Sequence, residues 1–84
     1  MACYNIMTML VNNRRENASK LQEILTESGC LIKTRLGLHE AGDFCSDEGL
    51  IILQLTGDKK DIIKLEDDLN TLDGVVAKNV ELCR

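Results

Sequence analysis

One pattern is written twice along this chain, and that repetition limits its folds more than any other feature. Each copy is an apolar strand, a polar turn, a helix with an apolar stripe, a glycine and a second strand. In the first copy, Cys3–Val11 (CYNIMTMLV) is rich in strand formers and apolar on both parities. Asn12-Asn13 supplies capping residues, and Ala18, Leu21, Ile24, Leu25 and Ser28 then recur at helical spacing through Arg14–Ser28. Gly29 follows, where a helix-ending glycine belongs. Cys30–Leu38 alternates, with Cys30, Ile32, Thr34, Leu36 and Leu38 on one face and Leu31, Lys33, Arg35 and Gly37 on the other.

In the second copy, Leu50–Thr56 (LIILQLT) is a nearly continuous apolar run, the mark of a central strand. Gly57-Asp58 stops it, and Asp58 with Asp61 opens a capping pattern. Ile62, Leu65, Leu69 and Leu72 mark a second helix, Gly74 ends it, and Val75–Leu82 closes as a strand. Val75 and Ala77 share one parity there, Val80 and Leu82 the other, which predicts a β-bulge near Lys78-Asn79. Gly29 and Gly74 stand 45 residues apart, as do Ile6/Ile51 and Leu10/Leu55. Both glycines are expected in left-handed backbone at helix ends.

The order β-α-β-β-α-β, with two right-handed halves, predicts an α+β, ferredoxin-like, two-layer sandwich. Both helices then pack on one face of a four-stranded antiparallel sheet. Eighty-four residues suffice for a single domain, 1–84, and for no second core.

Charge narrows the function classes. Ten Lys and Arg against 14 Asp and Glu leave a net charge of −4, which argues against direct nucleic-acid binding. No apolar run is long enough to span a bilayer, and the first residues carry no signal-peptide pattern. A cytoplasmic location is expected, with Cys3, Cys30, Cys45 and Cys83 reduced and the strand cysteines partly buried. No two cysteines form C-x-x-C. There is also no P-loop, no G-x-G-x-x-G and no Ser/His/Asp grouping, and a His39–Cys45 nucleophile pair has no third residue or oxyanion donor indicated. The expectation is therefore a protein that is not an enzyme and carries no cofactor.

Three sets of residues are candidates for function. Lys33 and Arg35, with Arg14 and Arg15 at the start of helix 1, suit a small anionic ligand such as a carboxylate or phosphate. His39 and Cys45, in the acidic segment HEAGDFCSDEG, have donor types fit for nickel or zinc, although an ordinary solvated loop has the same composition. Leu31, Met7, Met9, Leu50 and Ile52 are the expected oligomer interface. Two helices cover one face of a sheet, and the central strands are apolar on both parities.

The first strand running into NNRRE (12–16), IKTRLGL (32–38), GLIILQL (49–55), the apolar pattern of the second helix up to Val75, and AKNVEL (77–82) carry a likeness across nearly the whole chain. By these residues the chain resembles the ACT-like family of iron-only hydrogenase system regulators. It is more distantly similar to the ligand-sensing domain of the nickel-responsive repressor. The resemblance implies an ACT-like fold and a small regulatory, ligand-sensing role as a homo-oligomer, dimer or tetramer, linked to a hydrogenase system. The partner is then a small ligand or another protein. The alternative is a transition-metal sensor or carrier that uses His39 and Cys45 across subunits.

Overall fold

In the computed structural model, residues 2–12, 14–38 and 49–84 are described, without the side chains of 14–16, 18 and 38. The elements are β1 (Cys3–Val11), α1 (Arg14–Glu27), a 3-10 turn (Gly29–Leu31), β2 (Ile32–Leu38), β3 (Gly49–Leu55), α2 (Lys59–Asn70) and β4 (Val75–Cys83). The sheet order is β2-β3-β1-β4, with every neighbouring pair antiparallel. This is the expected ferredoxin-like arrangement.

Alternation sorts each strand onto two faces. Met7, Met9 and Val11 of β1, Leu53 and Leu55 of β3, and Val75 and Ala77 of β4 are buried beneath the helices. Leu21 and Leu25 of α1 and Ile62, Leu65 and Leu69 of α2 close over them. The pairs Met7/Ile51, Met9/Leu53, Val11/Leu55, Leu21/Leu65 and Leu25/Leu69 share one spacing, a residue shorter than the glycine separation. The two halves are therefore equivalent at these pairs rather than at Ile6/Ile51, because Ile6 belongs to the uncovered parity.

Three local expectations are corrected. β4 has no bulge: its register with β1 runs unbroken from Cys3↔Cys83 to Val11↔Val75. Asn79 lies on the helix side, where its amide donates to Asn5 Oδ1 at 3.0 Å and its backbone N–H donates to Glu66 Oε2 at 2.6 Å. A hydrogen-bonded polar residue thus holds a position that alternation reserves for an apolar one. The irregularity lies instead in β2, between Ile32 and Thr34. It pairs Ile32 with Leu55 and Arg35 with Leu53, which puts Ile32 and Arg35 on the same face. Asp58 holds the N-cap position of α2 without a side-chain capping bond. Its backbone carbonyl accepts from the N–H groups of Asp61 and Ile62 instead, at 3.1 Å each.

The two glycines also part company. Gly74 takes φ +82 and packs against the Asn12 carbonyl. Asn12 N–H donates to Gly74 O at 2.6 Å, and the buried Asn17 amide donates to both Asn12 O (3.0 Å) and Asp73 O (2.7 Å). Gly29 is not in left-handed backbone, since the chain leaves α1 through the 3-10 turn rather than a left-handed cap.

At the outer edge of β4, Asn70 of α2 donates to Ala77 O (2.9 Å) and accepts from Ala77 N–H (2.8 Å). With Glu66 on Asn79, α2 occupies three of the hydrogen-bonding groups that an edge strand would otherwise expose.

Gly74→Ala is expected to cost about 1–2 kcal/mol from its backbone alone, and more because a Cβ would meet Asn12 O at 3.0 Å. Gly29→Ala, whose Cβ meets nothing within 4 Å, is expected to be neutral or stabilising by up to about 1 kcal/mol. Urea midpoints of the two variants check this contrast. Asn70→Ala is expected to lower stability by about 1–3 kcal/mol, because it orphans two part-buried backbone groups at once; chemical denaturation measures the loss.

Candidate functional site

The face of the sheet away from the helices is predominantly apolar. Ladder neighbours stack as Tyr4↔Leu82, Ile6↔Val80, Leu10↔Val76, Leu10↔Leu50 and Leu36↔Ile52. Val76 is 63% exposed, Leu82 59% and Leu36 51%, with Tyr4, Leu10, Leu50 and Val80 also exposed. Thr8 and Lys78, opposite one another, and Gln54 with Thr34 opposite it are the polar breaks in this surface. Isolated exposed apolar side chains are ordinary, but a contiguous patch of several hundred Å² is not.

Leu50 and Ile52 lie on this face as expected. Met7 and Met9 do not: both are 0% exposed, under the helices. β1 is apolar on both parities, so its facing is decided by its partners. Met7 lies across from Leu53 and Met9 from Ala77, both on the covered side. Leu31 is corrected as well. It sits in the 3-10 turn against Gly57, where its N–H donates to Ser28 O and its carbonyl accepts from Thr56 N–H. Sequence reasoning passed over Tyr4, Leu36, Val76, Val80 and Leu82. The apolar alternation of Val76, Val80 and Leu82 was the available signal, and the bulge assigned to β4 masked it.

The basic candidates divide. Lys33 and Arg35 are exposed on β2, an outer strand of the sheet. Arg35 donates from its guanidinium to Gln22 Oε1 of α1 at 3.0 Å, so it faces the helix layer. Arg14 and Arg15 are the first residues of α1, and their side chains lie outside the described residues. Arg14 stands eight residues before Gln22, roughly 12 Å along the helix axis, which separates the helix start from Arg35. His39 and Cys45 also lie outside the described residues.

A cleft of about 280 Å³ opens where the end of α1 meets α2, lined by Ile24, Leu31 and Leu65 with Glu27, Cys30, Asp61, Lys64 and Asp68. Its three carboxylates outnumber its one ammonium. Lys64 donates to Asp68 Oδ2 at 2.9 Å. Cys30, an exposed free thiol, stands at the same cleft.

Cys3 and Cys83 depart furthest from expectation. Both are exposed, and they are joined by a disulfide across the β1–β4 ladder, spanning 80 residues of sequence. Antiparallel pairing makes them directly opposite neighbours, a relation that local spacing cannot show.

The layers, strand order and bare face define the class: a small α+β, ferredoxin-like domain. No family model matches the chain, and no curated protein matches it. Among solved structures it is similar to the uncharacterized protein TM1266 of Thermotoga maritima. That likeness has 25% identity and a TM-score of 0.84 over 98% of this chain and 100% of that one. It is also similar to a formyltetrahydrofolate deformylase of Pseudomonas putida KT2440, at 10% identity and TM-score 0.58. There the match covers 92% of this chain but only 28% of the deformylase. A third neighbour is CPII of Thiomonas intermedia K12, a structure bound to ADP, AMP and acetate. It has 12% identity and TM-score 0.52, over 98% and 90% of the two chains. The last two likenesses show the fold alone. No helix among the described residues is long and apolar enough to cross a membrane.

The hydrogen bond to Asp68, and then the attraction of its charge, raise the Lys64 pKa above the usual 10.5. A raised folded-state value stabilises fully below the unfolded value and is lost as pH climbs through the folded one, so any contribution fades only above about pH 10.5. Asp68→Asn is expected to move the Lys64 titration back toward 10.5, read by NMR of the lysine side chain.

Proposed function

We propose that the chain is a small regulatory module that acts as a homo-oligomer, with its bare sheet face as the subunit interface. The observation that carries this reading is the apolar ladder of Tyr4, Leu10, Leu36, Leu50, Val76, Val80 and Leu82 on the side without helices. Burying several hundred Å² at about 25 cal/mol per Å² is worth several kcal/mol per subunit, before the costs of association. The edge of β4 supports a face-to-face union over an edge-to-edge one, because Asn70 and Glu66 already occupy its backbone groups at Ala77 and Asn79. A closed dimer, or a tetramer of dimers, follows from a self-complementary face.

In this reading the module binds and signals rather than catalyses. Its ligand is a small anion or a protein surface that meets Lys33 and Arg35, exposed on the edge strand β2 with Arg35 turned to the helix layer, away from the interface. The ferredoxin-like fold that the chain shares with TM1266 and CPII fits a small regulatory domain. The link to an iron-only hydrogenase system rests on the sequence resemblance.

Sedimentation at low micromolar concentration tests the interface. The expected mass is twice or four times 9.4 kDa, falling to that of the monomer in Val76→Glu with the far-ultraviolet spectrum retained. A wild-type monomer at that concentration sinks the reading, and an unchanged oligomer in Val76→Glu moves the interface off this face.

A further inference from the structure

The geometry points to a thiol-gated metal site at the exposed end of the β1–β4 ladder, made of Cys3, Glu81 and Cys83. A sulfur of each cysteine and a carboxylate oxygen of Glu81 lie within 4.8 Å of one another. The register explains why. Cys3 and Cys83 are direct cross-strand partners, and Glu81, two residues before Cys83, projects to the same face. This is the helix side of the sheet, beyond the helices' cover, so all three groups reach solvent.

The disulfide is the closed form. Reduction by a dithiol delivers two electrons and two protons: the S–S bond breaks, two thiols form, and the donor becomes a disulfide. A divalent cation then displaces both thiol protons, leaving two thiolates and one carboxylate as ligands. Thiolates select zinc and its neighbours over magnesium or calcium. With Zn–S bonds of about 2.3 Å in a tetrahedron, the two sulfurs stand roughly 3.8 Å apart. Rotating the cysteine side chains supplies that separation while the β1–β4 register stays in place. Three protein ligands leave a fourth position open to water or a bound donor, the pattern of a site that exchanges or binds rather than one that is purely structural. Oxidation consumes two of the three ligands, so the site holds metal only when reduced.

The test uses the full chain, reduced with a dithiol, desalted without oxygen and titrated with cobalt(II), then zinc(II). The expected result is one equivalent per chain, with thiolate-to-cobalt charge-transfer bands and tetrahedral ligand-field bands that zinc abolishes. The oxidised chain takes up none. Cys3→Ser and Cys83→Ser each lose the charge-transfer signature of paired thiolates and weaken binding at least 100-fold. Glu81→Gln weakens it about 10-fold or more, and Cys30→Ser and the double variant His39→Ala/Cys45→Ser leave it unchanged. Circular dichroism confirms that each variant is folded. Failure of the reduced wild type to saturate at one equivalent overturns the assignment. So does uptake that survives loss of Cys3 and Cys83 but not of His39 and Cys45, or affinity indifferent to Glu81→Gln.

Discussion

Much of this architecture depends on how α2 grips the edge of β4. Ile62, Leu65 and Leu69 turn one stripe of α2 into the core, which leaves Glu66 and Asn70, one helical turn apart, beside the stripe. Those two side chains reach the strand edge and answer the N–H and C=O of Ala77 and the N–H of Asn79. Each such bond is worth about 1 kcal/mol net, but a buried group left without a partner costs about 1–3 kcal/mol. The grip therefore acts as a constraint on geometry more than as a source of stability. It sets the roll of α2 and fixes where α2 hands the chain to β4. That hand-over is the Asp73-Gly74 turn, which Asn17 ties to the entrance of α1. Both helices are thus positioned by asparagine amides, with the apolar core filling the space between.

The same arrangement inverts the usual division of a half-buried sheet at one end. On the covered side, behind the Cys3/Cys83 pair, Asn5 and Asn79 stand diagonally across the β1–β4 ladder and the Asn79 amide donates to Asn5 Oδ1, while Asn79 Oδ1 is buried without a partner among the described residues. On the uncovered side the same strands carry Tyr4, Ile6, Val80 and Leu82. Polar groups face inward where the helices run out, and apolar groups face outward where nothing covers them. A face that is to meet another surface, and a margin that is to stay wet, have that distribution.

Legibility in the sequence followed the range of the interactions. Helical stripes, such as Ile62, Leu65 and Leu69, rest on neighbours three and four residues away and were readable. So was the helix side of β3, because Ile51, Leu53 and Leu55 form an unbroken apolar set. β1 was not, since Ile6 and Leu10 compete with Met7, Met9 and Val11 on equal terms and only the pairing with Leu53 and Ala77 decides between them. β4 misled for a different reason. Asn79 sits on the covered side because Asn5 and Glu66, far away in sequence, satisfy it. The displaced residue in β2 shifts Arg35 across the sheet with no composition cue at Lys33. Of the candidate residues, Leu50 and Ile52 were placed correctly for the same reason as β3 itself. The Cys3–Cys83 pairing joins the two ends of the chain, beyond anything local spacing encodes.

That pairing decides how the molecule carries a mechanical load. Ala2 and Arg84 exchange backbone hydrogen bonds at 3.1 and 2.9 Å, so the outermost described residues lie side by side. A pull applied between them acts across the β1–β4 ladder from its open end, the direction in which an antiparallel pair parts one rung at a time. With Cys3 bonded to Cys83, the tension passes through sulfur before it reaches Tyr4 and Leu82, and the sheet behind the bond bears none of it. With the two thiols free, the first rungs take the whole force in sequence. The oxidation state of two exposed side chains thereby sets whether the fold yields like a zipper or holds like a closed ring.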